Sequence, residues 1–315
     1  MSANPASLPR LFREAVGQTL RHRVSLRRHS SFRIGGTADY FFSAGSLKQL
    51  RSCLRFVHER VLPYYVIGAG TNILFSDAGF RGLILKNGVK GIERVSKEGR
   101  VEVFSGTPLS DLVDFALENG LEGIEFAAGI PGTVGGAIFG NAGAFGRCIG
   151  EFLTEAALLD SRGEEIIVDR DFFEFAYRHS ALKGRHAMIV RAVFKLGRGD
   201  RAAIKARIEE NLEKRRSRHP STKLAYAGSY FKNPVRPDGT KIAAGFLLEK
   251  VGAKKRQVGG AMVFSGHANF IVNRGRARAE DVLSLARELK ERVKKEFGID
   301  LEEEVIYLPE DFSMS

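Results

Sequence analysis

Hydrophobic and polar positions alternate with two different periods along the chain, which predicts a protein of mixed helices and strands. Apolar residues at helical spacing mark helices, and short apolar runs mark buried strands. The predicted helices cover residues 46–60, 109–118, 201–215, 241–251 and 279–297. The predicted strands cover residues 38–42, 64–67, 83–85, 156–159, 165–168, 188–196, 269–272 and 305–308. Because strand–helix–strand units do not follow one another regularly, the order favours an α+β fold over a doubly wound sheet.

The same pattern suggests where domains begin and end. The charged helix at 201–215 carries Ile204, Ile208 and Leu212 four residues apart, which gives it one apolar stripe. We place a boundary just before it, at residues 197–199. The predicted units are a basic N-terminal extension (1–24), a first domain (25–197) in two parts (about 25–88 and 89–197), and a C-terminal domain (198–315).

Composition narrows the class of protein. With 315 residues, 43% of them hydrophobic and 27% charged, the chain is typical of a globular protein of two or three domains and not of a disordered or fibrous one. The formal net charge of +12 favours an anionic partner or substrate. Cys53 and Cys148 are the only cysteines, so neither a disulfide framework nor a cysteine metal site is expected, and a reducing cytoplasm fits best.

Two segments could be mistaken for targeting or membrane signals. Residues 1–34 are rich in arginine, with Glu14 as their only acid, which loosely resembles a transit peptide, but a solvated, partly helical lead-in is the simpler interpretation. Residues 126–146 are uncharged and about as long as a membrane span. Repeated glycines, Pro131 and Asn141 interrupt them, so we expect no transmembrane helix there.

A glycine loop follows the predicted strand at 64–67. It consists of Gly68, Ala69, Gly70, Thr71 and Asn72. Glycines let backbone N–H groups approach an anion, and the last two side chains add donors, so the loop resembles a phosphate cradle. It matches neither the Rossmann nor the Walker pattern, and a tight turn between strands is an equally simple explanation.

A second glycine segment lies in an apolar context. It consists of Gly129, Ile130, Pro131, Gly132, Thr133, Val134, Gly135 and Gly136. So many glycines lose much conformational entropy on folding, which indicates that something requires close approach to the backbone. A large flat ligand with a pyrophosphate would require it, and a glycine-rich helix packing site is the alternative.

Several motifs, in this order, resemble those of the UDP-N-acetylenolpyruvoylglucosamine reductase (MurB) family. They are residues 31–36 (SFRIGG), the two glycine segments, and residues 141–146 (NAGAFG), 177–180 (YRHS), 228–234 (GSYFKNP), 267–273 (HANFIVN) and 301–305 (LEEEV). The resemblance implies a vanillyl-alcohol-oxidase (PCMH) type FAD-binding domain of two α+β subdomains. The two glycine segments would bind FAD within this domain. An α+β substrate-binding domain would follow. The short turn between Asn233 and Lys241 matches the shorter subclass, which lacks a tyrosine loop.

The resemblance also implies an activity: reduction of an enolpyruvyl ether by NADPH through non-covalent FAD, in peptidoglycan precursor synthesis. Arg178 resembles the catalytic arginine, whose planar fork can bind the substrate carboxylate. Ser229 resembles the proton donor, with Lys232 as a candidate helper. Glu304 resembles the catalytic glutamate. In an extended segment Glu302 would share its face and compete for that role. Without the resemblance, each would be explained equally well as an ordinary surface or turn residue.

Further residues are candidates for binding the substrate. They are Asn141, Tyr177, Tyr230, Lys232, Asn233 and His267. The basic run at 214–223 could face the substrate's diphosphate in part, with the remainder solvated. Tyr226 stands where the family usually has a small residue, so it could narrow the cleft or replace a tyrosine that grips the substrate.

Two other functions compete with this one. Another FAD-dependent oxidase or dehydrogenase could use the same fold, although no His or Cys for a covalent flavin link occurs between Gly68 and Asp77. A basic nucleic-acid-binding protein would leave both glycine segments without a role. We therefore expect NADPH and the UDP-linked sugar as small-molecule partners, which use one cleft in turn. We expect no nucleic-acid or membrane partner, and a cytoplasmic monomer.

Overall fold

The computed structural model describes residues 8–96, 98–221 and 223–312, and the helices within them fall close to the predicted ones. The α-helices are Leu8–Val16 (α1), Leu47–Glu59 (α2), Leu109–Glu118 (α3), Val134–Phe139 (α4), Arg201–Arg216 (α5), Ala244–Lys250 (α6) and Ala279–Phe297 (α7). Helices α3 and α7 have the predicted bounds. Helix α6 begins three residues late, because Lys241 pairs with Val235 in a β-bridge and Ile242 N donates to the carbonyl of Pro234 at 2.9 Å. The Asn233 side chain accepts a hydrogen bond from Ala244 N, the first N–H of the helix, at 2.9 Å.

The strands form three main sheets. In the first half of the chain they are Arg21–Ser25 (β1), Thr37–Ala44 (β2), Tyr64–Ile67 (β3), Ile73–Phe75 (β4), Phe80–Asn87 (β5), Ile92–Arg94 (β6), Arg100–Phe104 (β7), Leu121–Glu122 (β8) and Gly143–Ala144 (β9). In the second half they are Arg147–Cys148 (β10), Leu153–Asp160 (β11), Glu165–Asp169 (β12), Ala187–Lys195 (β13), Gly197–Arg198 (β14), Gln257–Val258 (β15), Ala261–Val263 (β16), Ile271–Asn273 (β17) and Ile306–Leu308 (β18).

The first unit is a four-stranded sheet in the order β1-β2-β5-β3, parallel except for the β1–β2 pair. Helices α1 and α2 share its core. Phe12 of α1 is fully buried, with edge-on ring contacts to Phe42 and Phe56 at 5.0 and 5.1 Å. Residues 8–24 are therefore a packed part of this unit, and the interpretation of a solvated lead-in is wrong for them. Residues 1–7 of the predicted extension lie outside the described residues.

The second unit is a five-stranded antiparallel sheet in the order β12-β11-β13-β7-β6. The apolar stripe of α5 packs against the core of this unit, with Ile204 fully buried and Ile208 and Leu212 partly so. Arg207 of the same helix makes an ion pair with Glu125 at 2.6 Å. The packing therefore favours a domain boundary after α5, near residue 217, in place of the predicted one at residue 198.

The C-terminal unit combines the antiparallel sheet β15-β16-β17 with α6 and α7. It is joined to the first unit by strand β18, which runs parallel to β4. Asp77, just after β4, accepts hydrogen bonds from the first N–H groups of α7, Ala279 N at 3.0 Å and Glu280 N at 3.2 Å. These contacts place the end of β3, where the first glycine loop begins, beside the C-terminal unit. In the described ranges, no helix is both long and apolar enough to cross a membrane.

Candidate active site

A cavity of about 1160 Å³ lies where the three units meet, and both glycine segments line it. The three predicted catalytic residues, Arg178, Ser229 and Glu304, line it as well. Segments that are far apart in the sequence are thus brought to one cavity. Its size suits an extended cofactor together with part of a substrate.

The first glycine segment forms the loop between β3 and β4, and two of its glycines are required by the local geometry. Gly70 has φ of +69°, and a Cβ there would lie 2.0 Å from the carbonyl oxygen of His29. A Cβ on Gly68 would lie 2.4 Å from Oγ1 of Thr133, in the second segment. The glycines therefore let this loop approach both a neighbouring strand connection and the other glycine segment.

The second glycine segment turns into helix α4, whose first N–H groups are partly satisfied by the Thr133 side chain. The two segments are also tied together by a hydrogen bond from Thr71 Oγ1 to the carbonyl of Pro131 at 3.1 Å. Val134 is the exception in the segment, because its side chain is fully buried in the core of the second unit. Any contribution of Val134 to a cofactor would come from its backbone.

The deeper wall of the cavity comes from strands that the sequence did not single out. It includes Tyr65 and Ile67 of β3, Leu159 of β11 and Met188 of β13. Burial raises the pKa of Tyr65 to about 12, so this phenol stays neutral. Apolar depth beside glycine-rich backbone fits a group with a flat ring system and a pyrophosphate, as FAD has. The sequence predicts these segments as ordinary buried strands, and nothing in their pattern indicates that they line a cavity.

Arg178 sits in a tight turn with an unusual backbone. Its φ is +54°, in the left-handed region that residues other than glycine seldom occupy. Backbone hydrogen bonds between Ala176 and His179 close the turn. The guanidinium faces the cavity, and its Nε lies 2.7 Å from Oε1 of Glu304. The turn thus places the Arg178 cation, and residues 301–305 place the Glu304 carboxylate, on the same wall of the cavity.

The three consecutive glutamates have three different partners. Glu302 pairs with Lys232 at 2.8 Å, Glu303 with Lys290 at 3.0 Å, and Glu304 with Arg178. Of the three, Glu304 lines the cavity. This placement favours Glu304 over Glu302 for the role that the resemblance implies.

The charge state of Glu304 is set by two opposing effects. Burial raises the pKa of its carboxyl group, and the neighbouring cations Arg178, Lys183 and Lys232 oppose that rise. In contrast, the hydrogen bond from Lys232 lowers the pKa of Glu302, the competitor. A carboxyl group with a raised pKa beside a cation is suited to exchanging a proton or hydrogen bond with a bound anion.

Ser229 follows Gly228, whose φ is +71°, and this turn presents it to the cavity. Its proposed helper, Lys232, is not one of the described residues that line the cavity, and the Lys232 ammonium makes an ion pair with Glu302. The structure therefore does not support direct help from Lys232.

The predicted substrate-binding residues fall into two groups. Asn233 and His267 line the cavity, and Tyr177 lies next to them, its Oη accepting a hydrogen bond from Asn233 N at 3.2 Å. Tyr230 is only 2% exposed and belongs to the core of the C-terminal unit. Asn141 is 4% exposed, and its amide bonds to backbone atoms of neighbouring loops. For these last two, the structure indicates packing and backbone support in place of the predicted substrate contact.

Several basic side chains around the cavity were missed or only partly predicted. Lys183 and Arg185 line it, although neither was singled out. Of the basic run, Lys214, Arg215 and Arg218 line the cavity. No spacing in the sequence distinguishes these cations from solvated ones, because their convergence depends on how the units pack.

Tyr226, the residue that departs from the family pattern, also lines the cavity. Its hydroxyl donates to the carbonyl of Pro220 at 3.2 Å, and its ring contacts Phe270 edge-on. The side chain therefore forms part of the wall.

Known proteins match both halves of the chain. A family model described as UDP-N-acetylenolpyruvoylglucosamine reductase, C-terminal domain, matches residues 219–308, and one described as FAD binding domain matches residues 38–169. The start of the first match lies close to the boundary that the packing of α5 favours.

Similar full-length proteins carry the same description. A UDP-N-acetylenolpyruvoylglucosamine reductase from Moorella thermoacetica is 42% identical over 89% of this chain and 90% of its own length. One from Halalkalibacterium halodurans is 40% identical over 92% and 94%. The crystal structure of UDP-N-acetylenolpyruvylglucosamine reductase (MurB) from Thermus caldophilus superposes with a TM-score of 0.75 at 31% identity, covering 92% of this chain and 100% of that one. The chain, with its FAD-binding and C-terminal domains around one cavity, belongs to the UDP-N-acetylenolpyruvoylglucosamine reductase family.

Proposed function

We propose that this protein reduces UDP-N-acetylglucosamine enolpyruvate to UDP-N-acetylmuramate with NADPH, through bound FAD, in peptidoglycan precursor synthesis. The observation that carries the proposal is the Arg178–Glu304 ion pair, which shares one cavity with Ser229 and both glycine segments. This arrangement joins a cofactor cradle to groups that can bind a carboxylate and move a proton. The basic residues around the cavity suit two anionic substrates that use it in turn.

The two glycine segments would hold FAD, with residues 68–72 and 129–133, except Pro131, which has no N–H, offering backbone N–H groups to its pyrophosphate. The absence of a side chain on Gly68 lets the two segments lie against each other at Thr133, and so form one cradle. When bound, FAD supplies a hydride acceptor for NADPH and a hydride donor for the enolpyruvyl double bond.

Arg178 would bind the substrate carboxylate. Its Nε faces Glu304. The terminal N–H groups of the guanidinium fork would donate to the two oxygens of the substrate carboxylate. A fixed cation at this position also stabilises negative charge that develops on the carboxylate side as hydride reaches the neighbouring carbon.

Ser229 would supply the proton that completes the reduction. Its O–H bond breaks as a C–H bond forms at the substrate carbon that does not receive the hydride, and the resulting alkoxide regains a proton from water. Glu304, with its pKa raised by burial, can hold a hydrogen bond to the substrate carboxylate through the same step. The cations beside it stabilise both the alkoxide and the enolate-like intermediate.

The experiment that tests the function separates its two halves under anaerobic conditions. The flavin's visible absorbance is followed first on mixing with NADPH, and then on adding UDP-N-acetylglucosamine enolpyruvate. We expect bleaching followed by substrate-driven reoxidation. Bleaching without reoxidation would favour another FAD-dependent oxidase or dehydrogenase, and a protein that binds no flavin would contradict the proposal.

A single variant tests the proton donor. Ser229→Ala should leave bleaching by NADPH nearly unchanged and slow reoxidation by at least about a hundredfold, because only the second half needs the proton. Ser284→Ala is a matched control in the same C-terminal unit, since that hydroxyl donates to the carboxylate of Glu280 at 3.1 Å on helix α7 and lies outside the cavity. Equal slowing of both halves in Ser229→Ala would contradict the assignment.

We further propose that the protein works as a cytoplasmic monomer. Both cysteines are unpaired, Cys53 buried and Cys148 partly so, which suits a reducing compartment. Light scattering of the purified FAD-bound protein measures the oligomeric state, and a dimer would contradict this part of the proposal.

A further inference from the structure

The backbone of Arg178 needs support from outside its own turn as well as within it. A non-glycine residue in the left-handed region is disfavoured and persists only where its surroundings fix it. Arg178, at φ +54°, is such a residue, and it carries the guanidinium on which substrate binding depends. A small rotation of this backbone would swing the guanidinium away from Glu304.

The ends of the turn are fixed to the second unit. Ser180 is fully buried and donates to the carbonyl of Phe139, at the end of α4. Asn141 donates to the carbonyl of Ala176 at 2.8 Å. These two bonds hold the residues before and after Arg178. The peptide group that follows Arg178 is held by the turn on its N–H side, because His179 N donates to Ala176 O at 3.1 Å, while its carbonyl oxygen takes a contact from outside the turn.

Lys183 supplies that contact. Its Nζ donates to the carbonyl oxygen of Arg178 at 2.7 Å, across five residues of the chain. An ammonium donor makes this a charge-assisted bond, which is stronger than a neutral one. Together with the His179 N–H bond, this contact fixes the orientation of the peptide plane that follows Arg178, and so fixes ψ of the left-handed residue.

The same ammonium faces the cavity and lies close enough to Glu304 to affect its ionisation. The other cations that face Glu304 are Arg178, which is its ion-pair partner, and Lys232, which is held by Glu302. Lys183 therefore contacts one member of the Arg178–Glu304 pair and acts electrostatically on the other.

We propose that Lys183 is a positioning residue, whose bond to the Arg178 carbonyl fixes the left-handed turn that holds the guanidinium against Glu304 and toward the substrate carboxylate. Its kinetic consequence rests on the function proposed above, whereas its effect on Glu304 does not. Lys183 acts through Arg178 and Glu304 and need not touch the substrate.

The kinetic test compares Lys183→Met, which removes the donor and the charge at similar length, with Lys183→Arg, which keeps both. Lys195→Met is the matched control, at an exposed lysine of the same unit that is outside the cavity. We expect Lys183→Met to slow substrate-driven reoxidation at least about tenfold, since small misplacements of a positioning group have effects of that size or larger. At saturating NADPH, where capture of the anionic cofactor no longer limits the rate, reduction should stay within about twofold, and Lys183→Arg should recover most of the loss.

A second measurement is independent of turnover. Carbon-13 labelling of the glutamate side-chain carboxyls, with Glu304→Gln to assign the signal, follows the titration of Glu304 by NMR in the FAD-bound protein. Loss of a neighbouring cation destabilises the carboxylate, so the pKa of Glu304 should rise in Lys183→Met and return toward the original value in Lys183→Arg. Lys195→Met should leave it where it is.

The outcomes separate the two proposals. If the unaltered protein is not reoxidised by the enolpyruvyl substrate, the proposed function fails, while the Glu304 titration still decides whether Lys183 acts on the pair. An unchanged titration would overturn the inference. So would equal slowing of both half-reactions or a failure of Lys183→Arg to recover activity, since either result indicates a general structural role.

Discussion

Gly70 shows how a single residue is selected by its surroundings. The carbonyl of His29 occupies the place where a Cβ would project, and the positive φ excludes most other residues even without that clash. The loop carrying Gly70 also offers Ser31 a backbone acceptor, through a hydrogen bond from Ser31 N to Gly70 O at 3.0 Å. Any displacement of this glycine therefore moves the connection before β2 as well as the predicted cofactor loop.

We predict that Gly70→Ala lowers the free energy of unfolding by about 3 kcal/mol or more and weakens FAD binding, because the backbone must shift. Gly17→Ala is the control: Gly17 has φ of +74°, but a Cβ there meets nothing within 4 Å. It should lose only about 1 kcal/mol, the conformational strain alone. Urea denaturation and flavin-fluorescence titration measure both effects. Similar losses in the two variants would contradict the role of the His29 contact.

His219 should make stability depend on pH. Burial, with Arg215, His267 and Arg218 nearby, lowers its pKa from 6.5 to about 4. Between these values the unfolded chain binds the proton and the folded one does not. Stability is therefore fully present above pH 6.5 and is lost as the pH falls toward 4.

We expect His219→Asn to reduce this acid-side loss by about 2 kcal/mol, since one pKa unit corresponds to about 1.4 kcal/mol and partial exposure weakens the effect. The measurement is urea denaturation at several pH values across the window. His186→Asn, at an exposed histidine, is the matched control. If the free energy of unfolding of His219→Asn falls with pH as steeply as that of the unaltered protein, the prediction is contradicted.

At the scale of elements, the sequence predicted what depends on local pattern. Helices α3 and α7 carry regular apolar stripes, and their ends were found to the residue. Helix α1 was not predicted as part of the core, because arginines mask the stripe formed by Leu8, Phe12 and Val16. The stripe of α5 was recognised but assigned to the following domain, since a stripe does not identify the core that it faces.

The start of α7 is capped both locally and from another unit. Asp281 accepts a hydrogen bond from Arg278 N at 2.9 Å, and Asp77 of the first unit accepts from Ala279 N and Glu280 N. In contrast, the cap of α5 is local, because Asp200 accepts from Ala203 N at 2.9 Å.

We predict that Asp77→Ala and Asp200→Ala each lower the free energy of unfolding by about 1 kcal/mol, the usual value of a helix cap. Only Asp77→Ala should also loosen the joint between units. Limited proteolysis should then cut more rapidly after the basic residues at 214–223, with the rate followed by gel or mass spectrometry. Equal cleavage in the two variants would show that the Asp77 cap does not contribute to the joint.

At the scale of the whole molecule, the glycine loops were predicted because their composition is unusual, whereas the catalytic trio came from motif order. Neither glycine composition nor motif order shows how far apart two residues lie in the folded protein. The convergence of Arg178, Ser229 and Glu304 is produced by the packing of three units, as is the placement of Lys183 behind Arg178. The site residues that sequence reasoning missed are those whose role exists only after that packing.

The excess of 12 positive charges should accelerate capture of anionic substrates. We predict that the second-order rate of flavin bleaching by NADPH falls as salt is added, because screening shortens the range of attraction. Lys214→Gln, at a residue that lines the cavity, should weaken this dependence more than Lys223→Gln, at one of the same basic run that does not. Stopped-flow measurement over a range of salt concentrations decides this, and identical slopes would contradict it.

Strand β18 sets an order of events for the newly made protein. It completes the pair with β4, and Asn72, in the first glycine loop, donates to the carbonyl of Glu304 at 2.9 Å. On the ribosome the glycine loop emerges long before residues 304–308 are synthesised. Flavin capture should therefore wait until synthesis has passed β18, so that a stalled nascent chain ending before this strand remains in the apo form although its FAD-binding domain has already been made.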